Sequence, residues 1–404
     1  MSKNEKPERS QAACDLGSDE GPSVKLIGGP IKGADKFLGG DVGVDGKIYL
    51  VPGSAKCVLQ IDPETLEVVQ FGRDLKGPYV ESSLPANQFK WLRSATSSIS
   101  GCIYGIPSNA DSVLRIDPEA GEISCVGGPF RGCWKWHGGA RSPIDNCIYC
   151  VPCNATAVLK INPMTEEITT ICEGLEGRNK WYGGLLGHDG CIYGMPFNAN
   201  SVLKIDPRTQ QVSMHGQEIL TTGGYKWHGG VVGPDGAIYA MPSHSNTVLK
   251  VVPGEEVTVK IIGNLKLDNV IHGRYKYGGG VVGVDGNVYG IPSDADHVIR
   301  INVADETVEE IGPALVGINK WQNGFLGRDG VNYCIPCDAE QVLRIDPLAA
   351  DGEIVSLIGG PLPAGREKWE GGVVGPDGAL YCVPQQAESI LRISPGPARQ
   401  TDTI

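Results

Sequence analysis

At 404 residues the chain is long enough for two or three ordinary domains, and for a large core without disulfides or metals. Glycine contributes 57 residues and proline 28, a turn-rich composition, yet the 41% hydrophobic content requires a folded chain and excludes low complexity. The glycines follow no three-residue period, which excludes collagen, and 47 acidic against 35 basic residues (net −12) argue against a nonspecific nucleic-acid binder.

In chain order, residues 1–22 are polar and aperiodic, and read as a disordered tail without the apolar run of a signal peptide. Val24-Lys-Leu-Ile-Gly-Gly29 then reads as an isolated strand. From there a unit close to K-W-x-G-G-x-x-G-x-D-G-x-I-Y-x-x-P-x-x-A-x-x-V-L-x-I-D-P recurs eight times. Its lysines are Lys36, Lys90, Lys135, Lys180, Lys226, Lys276, Lys320 and Lys368, spaced 44 to 54 residues apart. An aromatic residue follows each one, from Phe37 and Trp91 through Tyr277 to Trp369.

Each copy predicts four short strands, a to d. In the fifth copy, Gly229–Gly233 is strand a and Pro234-Asp-Gly236 is a hairpin turn, where Asp-Gly accepts positive φ. Ala237–Met241 is strand b, stopped by Pro242. Thr247–Val252 is strand c and Val257–Ile262 strand d. A period of about 45 residues with four strands specifies a propeller blade. The eighth copy ends at Ile390-Leu-Arg-Ile393 with no strand d, so the N-terminal strand should complete it and close the ring. The expected fold is therefore all-β: one eight-bladed β-propeller over residues 23–395, with a C-terminal tail at 396–404.

The turn and strand motifs, for example Gly187-His-Asp-Gly-Cys-Ile-Tyr193 with Val202-Leu-Lys-Ile-Asp-Pro207, resemble NHL-type and streptogramin-lyase-like propellers. They resemble more closely still a group of protist and bacterial K-W-x-G-G repeat proteins. The resemblance spans roughly residues 24–395 and implies architecture. In the lyase family it implies a metal-assisted histidine and an acidic residue at the propeller mouth. That motif does not map onto this chain residue by residue, and eight copies depart from the family's seven blades.

The repeated lysine and aromatic stand at the start of strand a. The first reading is structural, with each aromatic wedged between blades and each lysine bonded to loop carboxylates or carbonyls. The rival is a ring of lysines drawing an anion to the mouth. Function is sought where the copies differ. Two residues after each lysine stand Leu38, Leu92, His137, Tyr182, His228, Gly278, Gln322 and Glu370. In the second copy Arg93 and Ser94 replace the glycine pair, Arg141 enters the third inner strand, and Asp41 the first. The longest d–a link, from Arg73 to Phe89, lies on the same face. The candidate ligand-binding residues are thus Arg93, His137, Arg141, Tyr182, His228 and Glu370, a mixture suited to a polar or anionic ligand.

Metal chemistry is not expected. Cys147, Cys150 and Cys153 are closely spaced, as are Cys334 and Cys337, but strand b alternates faces and separates Cys147 from Cys150. Asp294-Ala-Asp-His297 aligns with Asn109, Asn154, Asn198 and Asp338, which suits loop capping better than calcium. The sequence reading is a non-catalytic binding or assembly protein without a cofactor. Its partner is a protein or a small polar or anionic ligand, not nucleic acid, and it is a monomer or a subunit of a larger complex. The 13 cysteines read as reduced thiols of a cytoplasmic protein, and no apolar stretch spans a membrane. The alternatives are a lyase or hydrolase with a His137/His228/Glu370 mouth, and a carbohydrate-binding module with exposed tryptophans.

Overall fold

The computed structural model describes residues 21–72, 75, 88–265, 274–350 and 352–399. Thirty-two strands form eight four-stranded antiparallel sheets, each a propeller blade. Among the described residues, no helix is long and apolar enough to cross a membrane. Residues 1–20, most of the expected N-terminal tail, lie outside the described residues, as does nearly all of the long link before the second blade.

The fifth blade is built from Trp227–Val232, Ile238–Pro242, Val248–Val252 and Thr258–Ile262. Strand a begins two residues earlier than its glycines suggest, because Trp227 pairs with Pro242 and carries the ladder across the top of the blade. Apolar side chains from consecutive blades interdigitate in eight clusters, one at each blade boundary. Trp91, for example, packs with Tyr49, Val51 and Val58 of the blade before it.

Closure follows the expected route. Ser23–Ile27 runs antiparallel to Ile390–Ser394 in the register Ser23↔Ser394 to Ile27↔Ile390, and so forms the outer strand of the eighth blade. Lys36 N–H donates to the Gln385 carbonyl at 3.1 Å, joining the eighth blade to the first. The equivalent bond recurs at every boundary, from Lys90 to Gly53 through Lys368 to Cys337. Beyond the last strand the chain stays docked. Gly396 N–H donates to Asp329 at 2.9 Å, and Arg399 bonds to Asp346.

The strand-b tyrosines are buried, and most donate their hydroxyl to the aspartate of the preceding hairpin turn, as Tyr149 does to Asp145 at 2.7 Å and Tyr333 to Asp329 at 2.6 Å. The second blade has Ser100 in the aspartate's place, and the Tyr104 hydroxyl is buried without a partner. Blade 3 shares the longer turn of blade 2 and accommodates the aspartate. Ser100→Asp should therefore stabilise the protein by about 1 kcal/mol. Urea unfolding measures this, and an unchanged midpoint would count against the hydroxyl as the defect.

Candidate functional site

The lysine–aromatic pair proves to be a fastening. All eight lysines are at least nine-tenths buried. Lys320 Nζ donates to the carbonyls of Ser293, Ala295 and Gly317 at 2.8, 2.9 and 2.9 Å, and Lys180 to those of Cys153, Ala155 and Gly177 at 2.9, 2.9 and 3.1 Å. Each of these ammonium groups ties a blade to the loop between strands b and c of its predecessor. Burial lowers Lys90, Lys226, Lys276 and Lys320 to about 8, which leaves them charged at neutral pH. The six tryptophans that follow a lysine are buried, and each indole N–H donates to a carbonyl of its own b–c loop, as Trp181 does to Ser201 at 2.6 Å. The lysines therefore form no anion-attracting ring, and these tryptophans offer no exposed face to a sugar.

A second regularity aims the variable position inward. Every a–b pairing has a register shift that starts at the aromatic or at the residue after it, between Trp136 and Gly139 in blade 3 and between His228 and Val231 in blade 5. Bulges of this kind re-aim a side chain. Gly138 takes φ 95° at the bulge, and a Cβ on Gly184 would stand 2.5 Å from Gly139 Cα, so the paired glycines admit both the turn and the close inner wall. Blade 2 is not left-handed there, which is why Arg93 is accepted in the glycine's place.

The bulges bring six of the eight residues in this column to one cavity of about 260 Å³. His137, Tyr182, His228, Gly278, Gln322 and Glu370 all line it. Leu38 and Leu92, on blades 1 and 2, are buried instead. A second cavity of about 240 Å³ shares His137, Tyr182, His228 and Gly278 and adds Arg93, whose guanidinium donates to the Leu38 carbonyl at 2.8 Å. Four of the six candidates, His137, Tyr182, His228 and Glu370, thus meet in one cavity, and Arg93 lines the one that adjoins it. Arg141 lines neither cavity. It lies at the far end of its strand and donates to Asn146 at 3.2 Å in the a–b turn. Asp41 is also structural, accepting from Thr96 N–H at 2.8 Å across the boundary between blades 1 and 2.

Residues outside this column complete the mouth. Phe197, Ser243 and Ser293 come from b–c loops, and Tyr225 and Tyr275 from the position before the lysine. That position has positive φ in every blade (47° to 51°), yet none of the eight residues is glycine. Neighbouring loops hold the strained turn, as where Tyr225 N–H donates to Asn198 at 3.0 Å and Asn319 N–H to Asp294 at 2.7 Å. This confirms loop capping for the Asn/Asp column. Lining up the repeats one column earlier, and one column after the proline, exposes both sets.

The rings form a continuous array. His137 stacks on Tyr182 at 4.1 Å between centroids, and Tyr182 on Phe197 at 4.2 Å. Phe197 meets Tyr225 edge-on at 4.6 Å, and His244 bridges Tyr225 and Tyr275. Burial, with the Arg93 charge, pushes His137 down to about 3 and His228 to about 4, so both are neutral at physiological pH. Burial raises the Glu370 carboxyl against the pull of Arg93, while Glu367 and Asp35 push it the same way as burial. The Glu370 carboxylate and the two imidazoles make no hydrogen bond to another described residue.

Among the described residues no group of histidine, cysteine and acidic side chains is placed to hold a metal ion. Cys147 and Cys150 point into different blade boundaries, as strand alternation requires. Burial raises both thiols, and raises Cys153 to about 12.

No protein-family model and no curated protein sequence matches the chain. Solved structures do. A streptogramin B lyase aligns over 93% of this chain and 98% of its own with 14% identity and a TM-score of 0.57. The propeller fold is established. Virginiamycin B lyase from Staphylococcus aureus gives 12% identity, coverage of 92% and 99%, and a TM-score of 0.58. Kuenenia stuttgartiensis hydrazine synthase gives 15% identity, coverage of 90% and 96%, and a TM-score of 0.51. The architecture implied by the repeat motifs is thus found in lyase-like propellers.

Proposed function

We propose that this propeller is a non-catalytic binding protein that takes a small polar organic ligand, or a projecting side chain of a protein partner, at the mouth lined by blades 3 to 8. The observation that carries this reading is the column two residues after each lysine. Its members occupy equivalent places, and six of them face one cavity. There His137, His228 and Glu370 form no hydrogen bonds that the fold needs. Acid–base catalysis is the weaker reading, since an imidazole held near 3 or 4 carries no proton to give at neutral pH. The twelve described cysteines are all free, which supports a reducing, cytoplasmic setting.

The test is saturation-transfer NMR with a library of polar aromatic fragments, on the wild type and on a His137→Ala, His228→Ala double variant. The variant should lose the fragments that bind the mouth while its Tm stays within about 2 °C. Retained binding with a lowered Tm would make the histidines structural and sink the reading. The two histidines should contribute no pH dependence to binding between pH 8 and pH 5, because both rings are neutral throughout. Glu370, whose carboxyl burial raises, is the group of this mouth whose titration binding can report. Stability should nevertheless decline below about pH 6.5. There the unfolded chain takes up protons that the native rings refuse.

A further inference from the structure

Resting on that reading, we infer that the mouth recognises an organic cation, an ammonium on an apolar stem, held between the aromatic array and the carboxylate of Glu370. Among the described residues, Glu370 is the only charged one lining the mouth cavity. It stands on blade 8, and Tyr182 and Phe197 stand on blade 4, diametrically opposite in a ring of eight. Tyr182 is stacked on both faces, by His137 and Phe197, so the rings without a parallel partner, Tyr225 and Tyr275, offer their faces to a ligand that shares the cavity with the Glu370 carboxylate. Ring faces carry negative electrostatic potential and attract a desolvated cation.

The ammonium groups of the repeated lysines are buried and bonded to backbone carbonyls, whose dipoles offset their charge. Arg93, whose charge acts on His137, His228 and Glu370, is the charge that opposes a cation; it lines the adjoining cavity and is tethered to the Leu38 carbonyl. The histidines are neutral. Next to the mouth, and sharing Tyr275 and Gln322 with it, lies a depression of about 500 Å³ lined by Asp294, Asp338 and Glu367 against the single cation Arg366. Acidic groups on this scale draw cations toward an opening. Burial raises the Glu370 carboxyl, and a bound ammonium would supply a counter-charge that offsets this desolvation. The mixed polar or anionic ligand expected from the six sequence candidates gives way to a cationic one, since Arg141 is absent from the opening and Arg93 lies outside the mouth cavity.

The experiment compares phenethylamine, 2-phenylethanol and 3-phenylpropionate, which share a body and differ in charge, by isothermal titration calorimetry. The amine should bind at least tenfold more tightly than the other two. Glu370→Gln should reduce the amine to the affinity of the alcohol and leave the alcohol unchanged. Tyr275→Asn should weaken the amine severalfold at constant Tm, because Asn179 and Asn319 already occupy that turn in blades 4 and 7. This second variant carries the test if Glu370→Gln does not fold. A parallel titration with N-acetyl-lysine methylamide separates a free amine from a peptide side chain as the source of the ammonium. Preference for the carboxylate, an amine preference that survives both variants, or no binding of any probe overturns the inference. The broader binding reading is judged separately by whether the His137/His228 variant loses its fragments.

Discussion

Deleting residues 1–30 should lower the melting temperature by more than 10 °C and increase self-association relative to the full-length chain. The deletion removes five paired positions, Ser23 to Ile27, from the outer edge of the eighth blade. It also removes Val24 and Ile27, which pack against the clusters at the two boundaries of that blade. The bond from Ile31 N–H to the Glu388 carbonyl at 2.7 Å loses its preceding strand, and with it the anchor of the first turn. Each ladder bond contributes about 1 kcal/mol net, and the apolar contacts add to it. What remains is Ile390–Ser394 as an unpaired edge carrying alternate apolar residues, a template for association. Differential scanning calorimetry and light scattering read the two effects. A truncated protein with an unchanged Tm and the self-association of the full-length chain would refute the closure, whereas removal of residues 1–20 alone should leave Tm unaltered.

Replacing Lys320 by methionine should destabilise the ring by about 3 kcal/mol, because three buried carbonyls lose a charged donor at once. The methionine stem preserves most of the packing, so the loss reports the ammonium rather than a void. The same substitution at the exposed Lys25 should change stability by less than about 0.5 kcal/mol. Chemical denaturation of the three proteins decides the matter. Equal stability of the Lys320 variant and the wild type would mean that the carbonyls are satisfied in another way and that the lysine column has a different purpose.

Much of this architecture is written in the repeats. The strand count, the ring closure and the inward column that includes His137, Tyr182, His228 and Glu370 all follow from aligning the copies. What alignment does not carry is distance along a strand. Arg141 was grouped with His137 because both depart from the repeat, yet four residues of extended chain separate them by about 13 Å, nearly the depth of the blade. Nor does alignment reveal which loops lean over the opening. Phe197 and Tyr225 reach the cavity through a b–c loop and a left-handed turn whose geometry is set by bonds between blades, such as Tyr225 N–H to Asn198. Those bonds join residues 27 apart and leave only a faint trace in composition. The lysines show the opposite case. Their regularity invited a functional reading, but a side chain identical in every blade serves what every blade shares, its attachment to its neighbour.

The lysine, the aromatic and the strand-b tyrosine fasten each blade, and the residue that faces the opening adds no hydrogen bond to that fastening at His137, His228 or Glu370, the histidines touching the neighbouring blade through ring contacts alone. Shape and content are therefore specified separately. The ring resembles a lock of eight dials on a common spindle. Six of the dials face the opening, and turning one of them rewrites a sixth of what this column shows there, while the spindle stays as it was. A lineage carrying such a chain can change what the opening admits one residue at a time, with foldability preserved at every step. Related chains should thus diverge in their cargo well before they diverge in form.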